Sequence, residues 1–152
     1  MVAAMLEALE LDGGRVLDVG TGSGYQAALL AELADDVVTI ERVPELAERA
    51  RATLKAAGYG HVDVRVGDGT LGVPERAPYD GIVVAAAAPS VPEALYGQLA
   101  PGGHLVVPVG TVREQWLEVV ERGEEGPRRR RTVPCRFVPL LGSEGFDERR
   151  RG

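Results

Sequence analysis

Three acidic residues punctuate the first half of this chain at places where a ligand could meet them. Asp18 precedes the string Gly20-Thr21-Gly22-Ser23-Gly24, Glu41 closes the next apolar run, and Asp68 sits in Gly67-Asp68-Gly69 after the run beyond it. Glycines so spaced turn the chain tightly and bring backbone N–H groups against a ligand at a helix start. Glu41 lies 21 positions after Gly20, the separation at which an acid accepts hydrogen bonds from ribose hydroxyls. A carboxylate at Asp68 can accept from an exocyclic amine such as that of adenine. An adenosine-containing ligand is therefore expected. The glycines fall at the first, third and fifth places, and Tyr25 takes the sixth. A dinucleotide site wants a glycine there for close helix packing. No Lys-Ser/Thr pair follows the loop, which excludes a triphosphate P-loop. An acid before the first glycine suits S-adenosylmethionine, whose amino-acid end carries an ammonium as well as a carboxylate.

Such residues need a scaffold that brings several strand ends side by side. Val2, Met5, Leu6 and Leu9 recur at helical spacing, and Asp12-Gly13-Gly14 stops that helix. Strands are predicted over 15–19, 37–41, 62–66, 81–87 and 105–109. Helices are predicted over 25–34, from Pro44 with Leu46, Ala50, Leu54 and Ala57 as its apolar face, and from the capping-box pattern Ser90-Val91-Pro92-Glu93 to about Leu99. Two last strands, 116–121 and 132–140, are predicted to join as a hairpin across 123–126. Strands alternating with helices imply an α/β fold. Its expected form is a doubly wound, mostly parallel Rossmann-like sheet with an antiparallel C-terminal hairpin. Ligands of such sheets bind outside the carboxyl ends of the strands.

The 152 residues fit one domain, expected over 1–142, with a charged tail over 143–152. Apolar residues make up 45% and charged residues 26%, the balance of a chain with a core. A net charge of −6 argues against nucleic-acid and anionic-membrane partners. The runs Arg128 to Arg131 and Arg149 to Arg151 read as a solvated strand and tail. The single cysteine, Cys135, permits no internal disulfide and reads as a small core residue. No Cys/His cluster has metal spacing. His61 and His104 read as satisfied or solvent-facing, and Trp116 as covering the sheet edge. No apolar run reaches membrane length and no basic leader opens the chain. A cytoplasmic monomer without a metal is expected.

The run Val16-Leu17-Asp18-Val19-Gly20-Thr21-Gly22-Ser23-Gly24-Tyr25-Gln26-Ala27-Ala28 resembles the cofactor loop of the protein-L-isoaspartate O-methyltransferases. The likeness continues in Thr39-Ile40-Glu41-Arg42, Arg65-Val66-Gly67-Asp68-Gly69-Thr70, Ala86-Ala87-Ala88-Pro89, Leu99-Ala100-Pro101-Gly102-Gly103 and Arg136-Phe137-Val138-Pro139-Leu140. It covers nearly the whole chain. The glycine loop and the Pro-Gly-Gly turn are common to many methyltransferases; the Gly-Thr-Gly-Ser-Gly-Tyr-Gln, Gly-Asp-Gly-Thr and Val-Pro-Leu strings are more particular to this family.

The resemblance implies methyl transfer from S-adenosylmethionine to the carboxylate of isoaspartyl residues in damaged proteins. The ester then closes to a succinimide that can reopen normally. It implies that Gly20, Gly22 and Gly24 approach the methionine end, that Glu41 holds the ribose, and that Asp68 faces the adenine amine with Gly69 beside it. Asp18, Thr21, Ser23 and Arg42 complete the expected cofactor set. Ala85, Ala86 and Ala87 would border the reacting carboxylate, and Val138, Pro139 and Leu140 would line a peptide groove; ordinary core strand reads equally well for both. No catalytic residue is assigned, because the serine that the family sets at the substrate carboxylate falls upstream of Met1. The family commonly has Thr where this chain has Ala85. Three other readings stay open: a module that binds cofactor without chemistry, a class I methyltransferase for another substrate, and a dinucleotide-dependent reductase.

Overall fold

The computed structural model describes residues 1–150; Arg151 and Gly152, the end of the expected tail, lie outside them. The elements are α1 (Val2–Ala8), β1 (Arg15–Val19), α2 (Tyr25–Leu33), β2 (Asp36–Glu41), α3 (Pro44–Ala56), β3 (Asp63–Val66), β4 (Tyr79–Val84), α4 (Glu93–Tyr96), β5 (Leu99–Gly110), β6 (Gln115–Gly123) and β7 (Gly126–Cys135). Among the described residues the strands form one seven-stranded sheet of order β3-β2-β1-β4-β5-β6-β7. The first five run parallel, and β6 and β7 close the sheet as antiparallel strands. The chain is the doubly wound α/β protein that its strand–helix alternation predicts.

Neighbouring residues of each central strand enter opposite cores. Leu17, Val38, Ile82 and Leu105 pack on one face with Tyr79, Leu95 and Leu99. Val16, Val37, Val83 and Val106 pack on the other with Met5, Leu9, Leu30 and Leu54. Burial on both faces explains why these strands read as continuous apolar runs. At one end of the sheet Asp36 receives Arg76 Nη2 at 2.6 Å and Arg15 Nε at 2.7 Å. The Arg76 bond, reinforced by Arg15, outweighs burial and holds the Asp36 carboxyl below the usual carboxylate range.

Four local expectations are corrected. β4 ends at Val84, so 85–87 are not strand. The last helix is only Glu93–Tyr96, with Pro92 at its N-cap and no side-chain cap bond. Ser90 does not cap it; Glu144 Oε2 accepts from Ala94 N instead, at 3.2 Å. β5 begins at Leu99, and Pro101-Gly102-Gly103 is a register break within it, between the pairs Tyr79↔Leu99 and Gly81↔His104. The largest correction concerns β7, which is Gly126–Cys135 rather than 132–140. The pair Gly123↔Gly126 makes a two-residue hairpin loop, and loop length sets register. An edge strand needs no continuous apolar face, so the arginine run enters the sheet and the apolar 138–140 segment leaves it.

Candidate active site

β1 and β4 are neighbours whose helical connections go to opposite sides, so a crevice opens beyond their carboxyl ends. The glycine loop begins there. Gly20 N donates to Ile40 O and Gly24 N to Thr21 O, both at 2.9 Å. Gly24 caps α2 with φ +89°, and a Cβ there would stand 3.2 Å from Leu54 Cγ. The left-handed backbone and the contact with α3 together require glycine. The helix packing that a dinucleotide fold obtains with its sixth-place glycine is obtained here one position earlier. Tyr25 is free to point outward and is 65% exposed.

Glu41 ties this loop to β2. Its Oε1 accepts from Gly22 N at 3.0 Å and its Oε2 from Val43 N at 3.1 Å. Each oxygen keeps a lone pair for a further donor, and the side chain lines the crevice.

Asp18 lies behind the loop. It is fully buried. Thr39 Oγ1 donates to its Oδ2 at 2.9 Å, and Gln26 Nε2 reaches its Oδ1 at 3.3 Å. When Asp18 is ionised, Thr39 spends its proton on it, and the 2.6 Å contact between the Thr21 and Thr39 hydroxyls then has Thr21 as donor. The result is a buried relay that fastens the glycine loop to β1 and β2. Desolvation raises the Asp18 pKa to about 7; the Thr39 bond opposes this and the nearby Glu41 charge adds to it.

Asp68 is held by the chain's own C-terminal segment. It caps the 3₁₀ turn Gly69–Leu71 through Thr70 N at 2.9 Å and accepts from Thr70 Oγ1 at 2.7 Å. Its other oxygen accepts from Ser143 N at 2.9 Å. Burial alone would raise this carboxyl, but the Ser143 and Thr70 bonds outweigh it and lower the pKa. The residues after Gly142 thus fold back over the end of β3. Arg42 donates to both carboxylate oxygens of Glu148 from Nη1 and Nη2, at 3.2 and 2.7 Å.

Beyond β4 the chain builds the opposite wall. Ala85 N bonds Val19 O at 3.0 Å, Ala87 N bonds Val138 O at 2.8 Å, and Leu140 N bonds Ala87 O at 2.7 Å. The two segments predicted to border substrate are therefore joined side by side. Between them and Glu41 lies a cavity of about 420 Å³, within the range of small-molecule sites. Gly20, Gly22, Glu41, Arg42, Gly69, Ala85, Ala86, Val138, Pro139 and Leu140 all line it.

Residues 1–145 match the family described as protein-L-isoaspartate(D-aspartate) O-methyltransferase (PCMT). The chain belongs to this family. The protein-L-isoaspartate O-methyltransferase of Methanopyrus kandleri is 55% identical, with 97% of this chain covering 68% of that protein. The one from Anaeromyxobacter dehalogenans is 60% identical over 92% of this chain and 69% of its own length. A solved protein-L-isoaspartate O-methyltransferase superposes with TM-score 0.87 at 32% identity, covering 95% of this chain and 47% of that one. A second, from Plasmodium falciparum in complex with S-adenosyl-L-homocysteine, gives TM-score 0.73 over 92% of this chain and 71% of that chain; at 24% identity it speaks for the fold.

Of the residues expected from membership in the isoaspartate methyltransferase family, Asp18, Thr21, Ser23, Gly24, Asp68 and Ala87 do not line the cavity. Asp18, Thr21 and Gly24 shape the loop from behind, and Asp68 anchors the C-terminal segment. The reading of single residues missed Val19, Ile40, Val43, Leu46 and Leu141, which supply apolar wall. Leu46 and Ala57, expected on the apolar face of α3, are both exposed; the buried face is Ala47, Ala50 and Leu54. Leu46 is 37% exposed and Val43 is 40% exposed. Val43 and Leu46 follow Glu41 by two and five positions, and apolar residues that close to a strand-end acid are the signal in the sequence that points to this wall.

Gly69 completes the floor. A Cβ there would come within 2.6 Å of Val19 Cγ1, too close for either buried group to ignore. Gly69→Ala is expected to destabilise the protein by about 1–3 kcal/mol and to narrow the cavity. Urea denaturation checks the first effect and S-adenosylhomocysteine titration the second; unchanged values in both would show that Val19 moves aside freely.

Proposed function

We propose that this chain binds S-adenosylmethionine in the cavity beside Glu41 and methylates the carboxylate of isoaspartyl residues in polypeptides. The observation that carries the reading is Glu41: two backbone amides orient its carboxylate, and the side chain lines an apolar cavity of nucleoside size. Ribose hydroxyls supply the donors that such a carboxylate lacks. Ile40, Val43, Leu46 and Gly69 suit an apolar ring system on one side. Gly20 and Gly22 let the backbone approach the methionine end. Asp18 holds that backbone in place through Thr39 and Thr21.

The bound cofactor supplies an electrophilic methyl group on its sulfonium. The acceptor carboxylate is ionised at neutral pH, so the chain needs no strong base. Its work is alignment and the exclusion of water. Ala85, Ala86 and the 138–140 segment form the apolar wall against which the acceptor lies. The reading extends to a cytoplasmic monomer with polypeptide substrates. The net charge of −6 supports leaving nucleic acids and anionic membranes out of it.

The test is methyl transfer to an isoaspartyl peptide and to its aspartyl twin, with calorimetric titration of S-adenosylhomocysteine and NAD in parallel. Transfer to the isoaspartyl peptide alone is the expected result. Bound S-adenosylhomocysteine without transfer would make the chain a binding module. Equal transfer to both peptides would reassign the substrate, and binding of NAD alone would reassign the cofactor.

A further inference from the structure

β7 is the last strand of the sheet, and its outer edge bonds to no other strand among the described residues. Four consecutive arginines, Arg128, Arg129, Arg130 and Arg131, lie on it, all exposed. In a chain of net charge −6 this is a concentrated patch of the opposite sign. Its own neighbours answer it only in part. Arg131 pairs with Glu118 at 3.6 Å and stacks over Trp116 at 5.7 Å, and Arg128 stands opposite Glu121. Arg129 and Arg130 stand opposite Val120 and Val119, and neither forms an ion pair among the described residues.

We infer that this edge is a docking strand for an extended, acidic segment of polypeptide. A strand added there takes up the unpaired N–H and C=O groups of the residues between Pro127 and Pro134. Its acidic side chains then face the arginines on both sides of the sheet. Two alternatives fit less well. A second copy of this chain, pairing β7 with β7, sets arginine against arginine, which is repulsive. A nucleic acid has no amide N–H and C=O groups to match a strand edge.

The position adds a use. β7 runs parallel to β4, because two antiparallel steps separate it from β5. Its carboxyl end therefore lies at the cavity end of the sheet. From there the chain leads to Val138, which is 69% exposed and lines the cavity. The path from Arg131 to Val138 is about 23 Å of extended chain at most. An acidic stretch docked on β7 holds its flanking residues near the cavity mouth. This use rests on the polypeptide substrate proposed above; the docking itself does not.

The probe is a short rhodamine-labelled glutamate-rich peptide without isoaspartate, with a glutamine-rich twin, followed by fluorescence anisotropy on the whole chain. The glutamate peptide is expected to bind about tenfold tighter than its twin, as a few exposed ion pairs allow. The advantage disappears in R129E/R130E and persists in R129K/R130K. Methylating alternate backbone nitrogens of the peptide weakens binding, because strand pairing is lost. S-adenosylhomocysteine titration of each variant reports that the fold and cavity are intact. Equal binding of the two peptides, indifference to R129E/R130E, or displacement by an oligonucleotide of equal charge at equal concentration would overturn the inference. Charge-dependent binding without methyl transfer would support this edge and defeat the proposed activity alone. Methyl transfer without charge-dependent binding would do the reverse.

Discussion

Glu41→Ala is expected to weaken S-adenosylhomocysteine binding about a hundredfold or more in a calorimetric titration. A hydrogen bond to a charged acceptor contributes about 1.5–3 kcal/mol, the cofactor's ribose offers two hydroxyls, and each ~1.4 kcal/mol is tenfold in affinity. A second effect adds to the first. The amides of Gly22 and Val43 lose the acceptor that orders them, so the loop that meets the methionine end loosens too. Glu41→Gln separates the two contributions. It keeps one carbonyl oxygen for an amide or a hydroxyl but lacks the charge, so an intermediate affinity is expected. If the alanine variant bound as tightly as the parent, the ribose would have to lie elsewhere and the proposed function would lose its main support.

Stability should fall as pH rises from about 4 to 7, and Asp18→Asn should abolish most of that slope. The folded Asp18 carboxyl has its pKa raised from 3.8 to about 7, chiefly by burial. Below pH ~4 both folded and unfolded chains hold the proton, and the group contributes no difference. Between the two values the unfolded chain releases it while the folded chain keeps it, so ionisation favours unfolding. Above pH ~7 both are ionised and the full penalty is present, on the order of 4 kcal/mol at 1.36 kcal/mol per unit. Asn is neutral throughout. The variant should therefore be the more stable protein at pH 8 and differ little from the parent at pH 4. Asp36 and Asp68 have lowered pKa values, so their contributions are lost only as pH falls below the ordinary carboxylate value, outside this window. Urea midpoints at pH 5, 6, 7 and 8 for both proteins provide the check. A parent midpoint that does not decline across this range would mean that Asp18 is solvated in the folded protein.

The architecture and the place of the glycine loop could be read from the chain alone. Both are written in local pattern: apolar runs of strand length alternating with helical periods, and glycines where φ must be positive. Glu41's place on the cavity wall was legible too, since the last residue of a strand in such a sheet stands at the crevice whatever its side chain meets there. What each polar side chain faces depends on how the elements pack. Asp18 and Asp68 looked like equals of Glu41, but one is turned into the sheet against Thr39 and the other is covered by Ser143. Their partners lie 21 and 75 positions away, and no local pattern encodes such contacts. The same holds for the cavity's far wall. Val138, Pro139 and Leu140 read as the end of a hairpin, because apolar alternation favours strand wherever it occurs. The two-residue turn at Gly123 and Gly126 set the register instead, placed the arginines on the open edge, and released 138–140 to pair with Ala87. Periodicity reports which face of an element is buried; the sheet's order and register decide which residues then meet.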